Sequence, residues 1–152
     1  MVKILMLSKW HVHADGYAKF VNEQPDAAIT CVWDEDAARG AEWAKKLGVD
    51  FEQDLAKALA REDVDAVVVD APTSDHCKVM VAAARAGKHI FTEKALAPTV
   101  KECEEIAKAV LESGVKFCIS HPHLTTPIAQ FCKQAIDEGI LFLIAEPKSP
   151  HG

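Results

Sequence analysis

Short apolar runs recur along the chain, separated by stretches of helical period. The runs cover residues 2–7, 28–33, 66–70, 88–91 and 116–119, with a shorter one at 49–51. Each is brief and β-branched or apolar, as expected of strands covered on both faces. The clearest helix is predicted over residues 100–113, where Val100, Cys103, Ile106, Ala107, Val110 and Leu111 form one apolar stripe. Thr99 and Glu102 supply a T-x-x-E capping box, and Gly114 falls just past the end. Thr73 or Ser74 is expected to cap a helix running to about Ala86, closed by Gly87. Asp34 or its neighbours are expected to start another, ended near Gly48. Strands and helices in alternation predict a doubly wound α/β fold with a mainly parallel sheet and right-handed crossovers.

A chain of 152 residues suits one such domain and can bury a sizeable core. Lys and Arg total 17 against 23 Asp and Glu, a net charge of −6. That acidic balance, with no basic stripe, argues against a nucleic-acid partner. No run approaches the roughly 20 apolar residues of a membrane span. The apolar segment 1–7 reads as a first strand rather than a signal peptide. Five cysteines, at 31, 77, 103, 118 and 132, show no C-x-x-C spacing. They point to reduced thiols and a cytoplasmic location.

Glu93 and Lys94 place a carboxylate and an ammonium at the end of the run 88–91. In an open parallel sheet, ligands sit just beyond the carboxyl ends of the strands. Lys94 therefore stands where a cofactor or substrate binds. The plainer alternative is a surface ion pair of little worth.

The segments 71–76, 82–91 and 93–97 carry a resemblance. Their order and spacing are similar to the nucleotide-binding half of the glucose–fructose oxidoreductase / inositol dehydrogenase (Gfo/Idh/MocA) family, over roughly residues 1–120. The resemblance implies a Rossmann-like fold and hydride transfer between a nicotinamide cofactor and a sugar or polyol CH–OH group. Lys94 matches the family lysine that lies beside the nicotinamide and touches the substrate hydroxyl, and is the implied catalytic residue. Glu93 matches the glutamate before it, and Ala95 replaces the family proline. Ala71, Pro72, Thr73 and His76 fall in the implied cofactor-binding segment, with a structural hydrogen bond favoured for His76. Asp34 ends the second strand, where an acid binds ribose hydroxyls, and Glu35 and Asp36 beside it would repel a 2′-phosphate. The implied cofactor is NAD rather than NADP. The alternative for Asp34 is a helix cap.

The sequence departs from the family in two places. Its first strand is followed by Ser8-Lys9-Trp10-His11-Val12-His13-Ala14 in place of a G-x-G-x-x-G/A turn. Ser8, Trp10 and His13 stand at the glycine positions, and Trp10 must point away for a pyrophosphate to approach. Helix amides from Val12 to Gly16 can still hold an anion, with His11 and His13 assisting. The second departure is length. Residues 121–145 resemble the helix and strand leading into the family's substrate domain, which is absent, and 146–152 read as a disordered tail. The apolar run 140–145 calls for a missing domain or a partner copy to cover it. The expectation is NAD binding without independent turnover.

Two readings compete. His11-Val12-His13 and His121-Pro122-His123 each put two imidazoles on one face of extended backbone, so a metal-dependent hydrolase is conceivable. Neither pair has a carboxylate beside it in sequence, and the expectation is no metal. A non-catalytic nucleotide-binding or scaffold module is the other alternative.

Overall fold

The structure is a computed structural model that describes residues 1–140, in two units divided after Ser120. The expected strand at 140–145 and tail at 146–152 lie, apart from Ile140, outside the described residues.

The first unit is built on six strands: β1 (Val2–Leu7), β2 (Ala27–Trp33), β3 (Asp50–Phe51), β4 (Ala66–Val69), β5 (His89–Thr92) and β6 (Phe117–Ile119). They form one sheet in the order β3-β2-β1-β4-β5-β6, and every neighbouring pair is parallel. The fold is therefore the Rossmann-like α/β class expected from the alternation, and its sheet is wholly parallel. Helices α1 (Ala14–Asn22), α2 (Ala37–Leu47), α3 (Leu55–Ala60), α4 (His76–Arg85) and α5 (Val100–Ser113) supply the crossovers.

Strand β1 shows why a near-continuous apolar run is needed. Ile4 and Met6 pack with Ala14, Ala18, Trp43 and Ala44 of α1 and α2. Leu5 and Leu7 point the other way, into a core with Leu59, Met80, Ala83 and Ile106 of α3, α4 and α5. Helices thus cover both faces of the sheet. Leu5, Met6 and Leu7 are fully buried, and each such side chain contributes about 1.5–3 kcal/mol.

The helix ends follow from local chemistry. Thr99 and Glu102 close the capping box on α5, and Gly114 ends the helix with φ 69°. Of the three acids expected at the start of α2, Asp36 is the cap, accepting from the Ala38 and Arg39 amides. One expected start differs: a 3-10 turn occupies Thr73–Asp75, and α4 begins at His76.

The second unit contains a 3-10 turn (Pro122–Thr125) and α6 (Pro127–Asp137), capped by Thr126. No helix among the described residues is long and apolar enough to cross a membrane.

Candidate functional site

The buried polar and charged residues among those described are Ser8, Asp34, Asp70, His76, Thr92 and Glu93. Ser8, Asp34, Asp70 and Glu93 each directly follow a strand, β1, β2, β4 and β5 in turn. Thr92 ends β5, and His76 opens α4 beside the same rim. Burying polar groups is costly unless they are paired, and this chain concentrates them on the carboxyl edge of its sheet. That edge includes the gap between β1 and β4, where the strand order reverses and ligands of open α/β sheets bind.

The loop after β1 ties the rim together. The Lys9 amide donates to Asp34 Oδ2 at 2.8 Å, and the His11 amide donates to the Asp70 carbonyl at 3.0 Å. At its far end His13 Nδ1 lies 2.7 Å from Glu93 Oε1. Ser8, at the first glycine position, takes a left-handed φ of 77°. Its hydroxyl accepts from the Trp10 amide at 3.0 Å. The Trp10 side chain is half exposed, with its ring 6.3 Å from that of His11, and Val12 is exposed. His13 at the start of α1 makes no side-chain cap bond. The Ala14 amide donates to the His11 carbonyl at 3.2 Å, which leaves the Asp15 and Gly16 amides of the first turn for solvent or an anion.

Asp34 is buried and saturated. Beyond the Lys9 amide it accepts from the Asp36 amide at 2.8 Å, and from Arg39 Nε at 3.0 Å and Nη2 at 2.6 Å. Arg39 also pairs with Glu35. A cavity of about 220 Å³ beside Asp34 is lined by Trp33, Glu35, Gln53, Asp75, Lys78 and Val79.

Glu93 is the hub of the other end. Tyr17 donates its hydroxyl to Oε1, and the Lys94 amide donates to Oε2 at 3.1 Å. Burial alone would raise the Glu93 carboxyl. The bonds from Tyr17, His13 and the Lys94 amide outweigh that and hold it below the usual carboxylate range. Burial, together with the bond to Glu93, pushes the Tyr17 hydroxyl up to about 12. Lys94 Nζ is 3.9 Å from Glu93 Oε2, with its side chain 47% exposed. The Lys94–Ala95 peptide is cis.

His76 is enclosed. Its Nδ1 lies 3.1 Å from the Leu96 carbonyl and its Nε2 3.0 Å from the Ala71 carbonyl. It braces the loop after β4 against the loop that carries Lys94. Ala71 is buried with it, while Pro72 and Thr73 are partly exposed.

The expectation that no carboxylate stands beside either histidine pair is corrected for the first pair. Chain crossover brings Glu93 against His13, 80 residues away in sequence. His121 and His123 belong to the second unit. Three rim residues escaped the sequence reading as site members. Asp70 reads in sequence only as the end of a strand, and neither Tyr17 nor Arg39 carries a local signal.

A wholly parallel sheet of this order, with its buried polar groups on one rim, defines a dinucleotide-binding α/β protein. A family model described as "Oxidoreductase family, NAD-binding Rossmann fold" matches residues 12–121, and the chain belongs to that family, Gfo/Idh/MocA. The chain carries an NAD(P)-binding domain of these oxidoreductases. It is 32% identical over 123 residues to 2,7-anhydro-N-acetylneuraminate hydratase of Mediterraneibacter gnavus, covering 81% of this chain and 32% of that protein. It is 32% identical over 120 residues to scyllo-inositol 2-dehydrogenase (NAD(+)) of Bacillus subtilis, covering 78% and 35%. Among solved structures, an NAD-binding oxidoreductase from Klebsiella pneumoniae superposes with a TM-score of 0.74 at 30% identity, covering 91% of this chain and 39% of that one. The chain spans about a third of the length of the curated relatives it matches.

Proposed function

We propose that the first unit binds NAD along the carboxyl rim and contributes Lys94 as a catalytic residue for oxidoreduction of a sugar or polyol CH–OH group. The carrying observation is the concentration of buried polar groups on that rim, at the point where the strand order reverses. The residues fit a dinucleotide. The α1 amides and the loop 8–13 would hold the pyrophosphate, and the cavity beside Asp34 the adenosine end, with Asp34 fixing its wall through Arg39 and the Lys9 amide. Ala71, Pro72 and Thr73 would border the cofactor between its two ends. The half-exposed Trp10 side chain supports an open approach to the loop.

Arg39 is the cation that a 2′-phosphate would recruit, and Asp34 and Glu35 already hold it. A phosphate would have to compete with two carboxylates, which favours NAD over NADP.

The nicotinamide, when bound, takes or supplies the hydride. The protein supplies charge and proton handling. The Lys94 ammonium, half exposed just past β5, would stabilise an alkoxide and carry its proton. Glu93 anchors the base of that residue through the backbone amide. The relatives named for an inositol and for a sugar acid derivative support a polyhydroxylated substrate for the whole protein.

Fluorescence titration with NADH and NADPH tests the reading. NADH is expected to bind at least about tenfold more tightly, a difference of ~1.4 kcal/mol. Asp34→Ala should narrow the gap. Absence of saturable binding by either nucleotide would overturn the proposal.

A non-catalytic nucleotide-binding module is the second reading. The observation that favours it is the loop itself, where Ser8, Trp10 and His13 stand at glycine positions.

A further inference from the structure

The loop after β1 carries two imidazoles, and β5 delivers a buried carboxylate to them. One ring nitrogen from each of His11 and His13 and one oxygen of Glu93 all lie within 4.8 Å of one another. The two rings meet edge to face with centroids 4.7 Å apart. We propose that His11, His13 and Glu93 form a binding site for a divalent first-row transition-metal ion, with Zn²⁺ as its representative.

The donor set decides the class of ion. Two imidazole nitrogens and one carboxylate oxygen suit zinc and its first-row neighbours. Magnesium and calcium favour all-oxygen shells. Three protein ligands leave at least one coordination position open for water or a ligand oxygen, the arrangement of reactive rather than purely structural zinc sites. Coordination replaces the hydrogen bond between His13 Nδ1 and Glu93 Oε1, and any proton on that nitrogen moves to Nε2 or to solvent.

The supporting contacts are those a metal carboxylate needs. Tyr17 donates to Glu93 Oε1 and is itself steadied by Ser120 Oγ at 3.0 Å and by the Phe91 ring at 5.1 Å. The Lys94 amide fixes the second carboxylate oxygen. Such outer contacts orient a ligand before the ion arrives. The His11 amide is anchored on the Asp70 carbonyl, which holds the loop in place.

A second observation points the same way. Asp70 is fully buried, and neither of its carboxylate oxygens has a hydrogen-bond partner among the described residues. Its backbone carbonyl accepts from the His11 amide at 3.0 Å, which sets this residue beside the loop. A dication at the cluster would offset the charge of the buried Glu93 carboxylate in low-dielectric surroundings, where charges interact most strongly. The opposing charge is Lys94 Nζ, 3.9 Å from Glu93 Oε2, and its half-exposed side chain can swing to solvent.

This site goes beyond the dinucleotide reading and does not depend on it. Its test is metal binding by the full chain after chelator treatment, followed by calorimetry with Zn²⁺ and visible absorption with Co²⁺. One Zn²⁺ per chain is expected, and cobalt bands free of thiolate charge transfer. His13→Asn and His11→Asn should each weaken binding by roughly 100-fold or more, beyond what loss of an outer contact costs. Both positions are at least partly exposed, so these variants should fold even if the buried Glu93→Gln does not. The paired variant His121→Asn/His123→Asn should bind as the wild type does. Lack of saturable binding would overturn the site. So would affinity unchanged in both loop variants, or a thiolate signature assigning the ion to cysteine.

Discussion

Asp70 is the most costly side chain on the rim. Burial, reinforced by the Glu93 charge, raises its carboxyl to about 7, against about 3.9 in an unfolded chain. Between those values the folded protein keeps a proton that the unfolded chain has released. Stability from this group is therefore fully present below about pH 4 and is lost as pH rises toward 7. Asp70→Asn should raise unfolding stability at pH 8 by about 2–4 kcal/mol, at ~1.4 kcal/mol per pKa unit. Near pH 4 it should leave stability nearly unchanged. Urea denaturation at the two pH values checks this, and an equal effect at both would contradict a raised Asp70. Ser8 carries a separate strain. A left-handed φ costs a non-glycine residue about 1–2 kcal/mol, partly offset by its hydroxyl bond to the Trp10 amide. Ser8→Ala keeps the strain and loses the bond, so it should cost about 1 kcal/mol. Ser8→Gly loses both and should fall within about 0.5 kcal/mol of the wild type. Equal thermal shifts for the two variants would speak against the strain. Lys94, Glu93 and Asp34 were legible because charge at the end of an apolar run is a local pattern. The bond from Tyr17 to Glu93 spans 76 residues, and no local pattern reports it.

At the level of elements, α2 packs unusually close to the sheet at Gly40. A Cβ there would lie 2.5 Å from the Asp34 Cβ and would collide with the Phe51 ring. In an exposed helix, alanine for glycine gains up to about 1 kcal/mol. At this position the sign reverses, because the strand end or the ring must move. Gly40→Ala should destabilise the fold by about 1–3 kcal/mol, the usual cost of overpacking. It should also weaken NADH binding by displacing Asp34. Thermal melts and nucleotide titration on the same sample check both, and an unshifted melt with unshifted affinity would show the packing to be slack. The elements themselves were largely legible. Runs of apolar residues marked all six strands, and T-x-x-E with a trailing glycine marked α5. Helix α3, at six residues, is too short to show a helical period. The start of α2 was legible only to within a few residues, because Asp34, Glu35 and Asp36 offer three acids in a row. Only the fold shows that the first is consumed by Lys9 and Arg39 while the third caps.

At the scale of the whole first unit, apolar packing and buried polar groups occupy different places. Two apolar layers on opposite faces of the sheet hold the first unit together, and the buried polar side chains gather on one rim. Lys94 belongs to the rim and to neither core. Its one ion pair among the described residues, at 3.9 Å to Glu93 with half its side chain exposed, is worth less than about 1 kcal/mol. Lys94→Ala should therefore melt within a few degrees of the wild type. It should also hold NADH within about threefold, a change below ~1 kcal/mol. Turnover by the whole protein should still fall by about 100-fold or more, the range for removing a positioned proton carrier. Lys94→Arg sharpens the reading. It keeps the charge but not the acidity, so it should likewise keep folding and binding while leaving the rate as low as in the alanine variant. Turnover unchanged in the alanine variant would remove Lys94 from the chemistry. A collapse of stability in the same variant would instead show that rim and core are not separable in this fold.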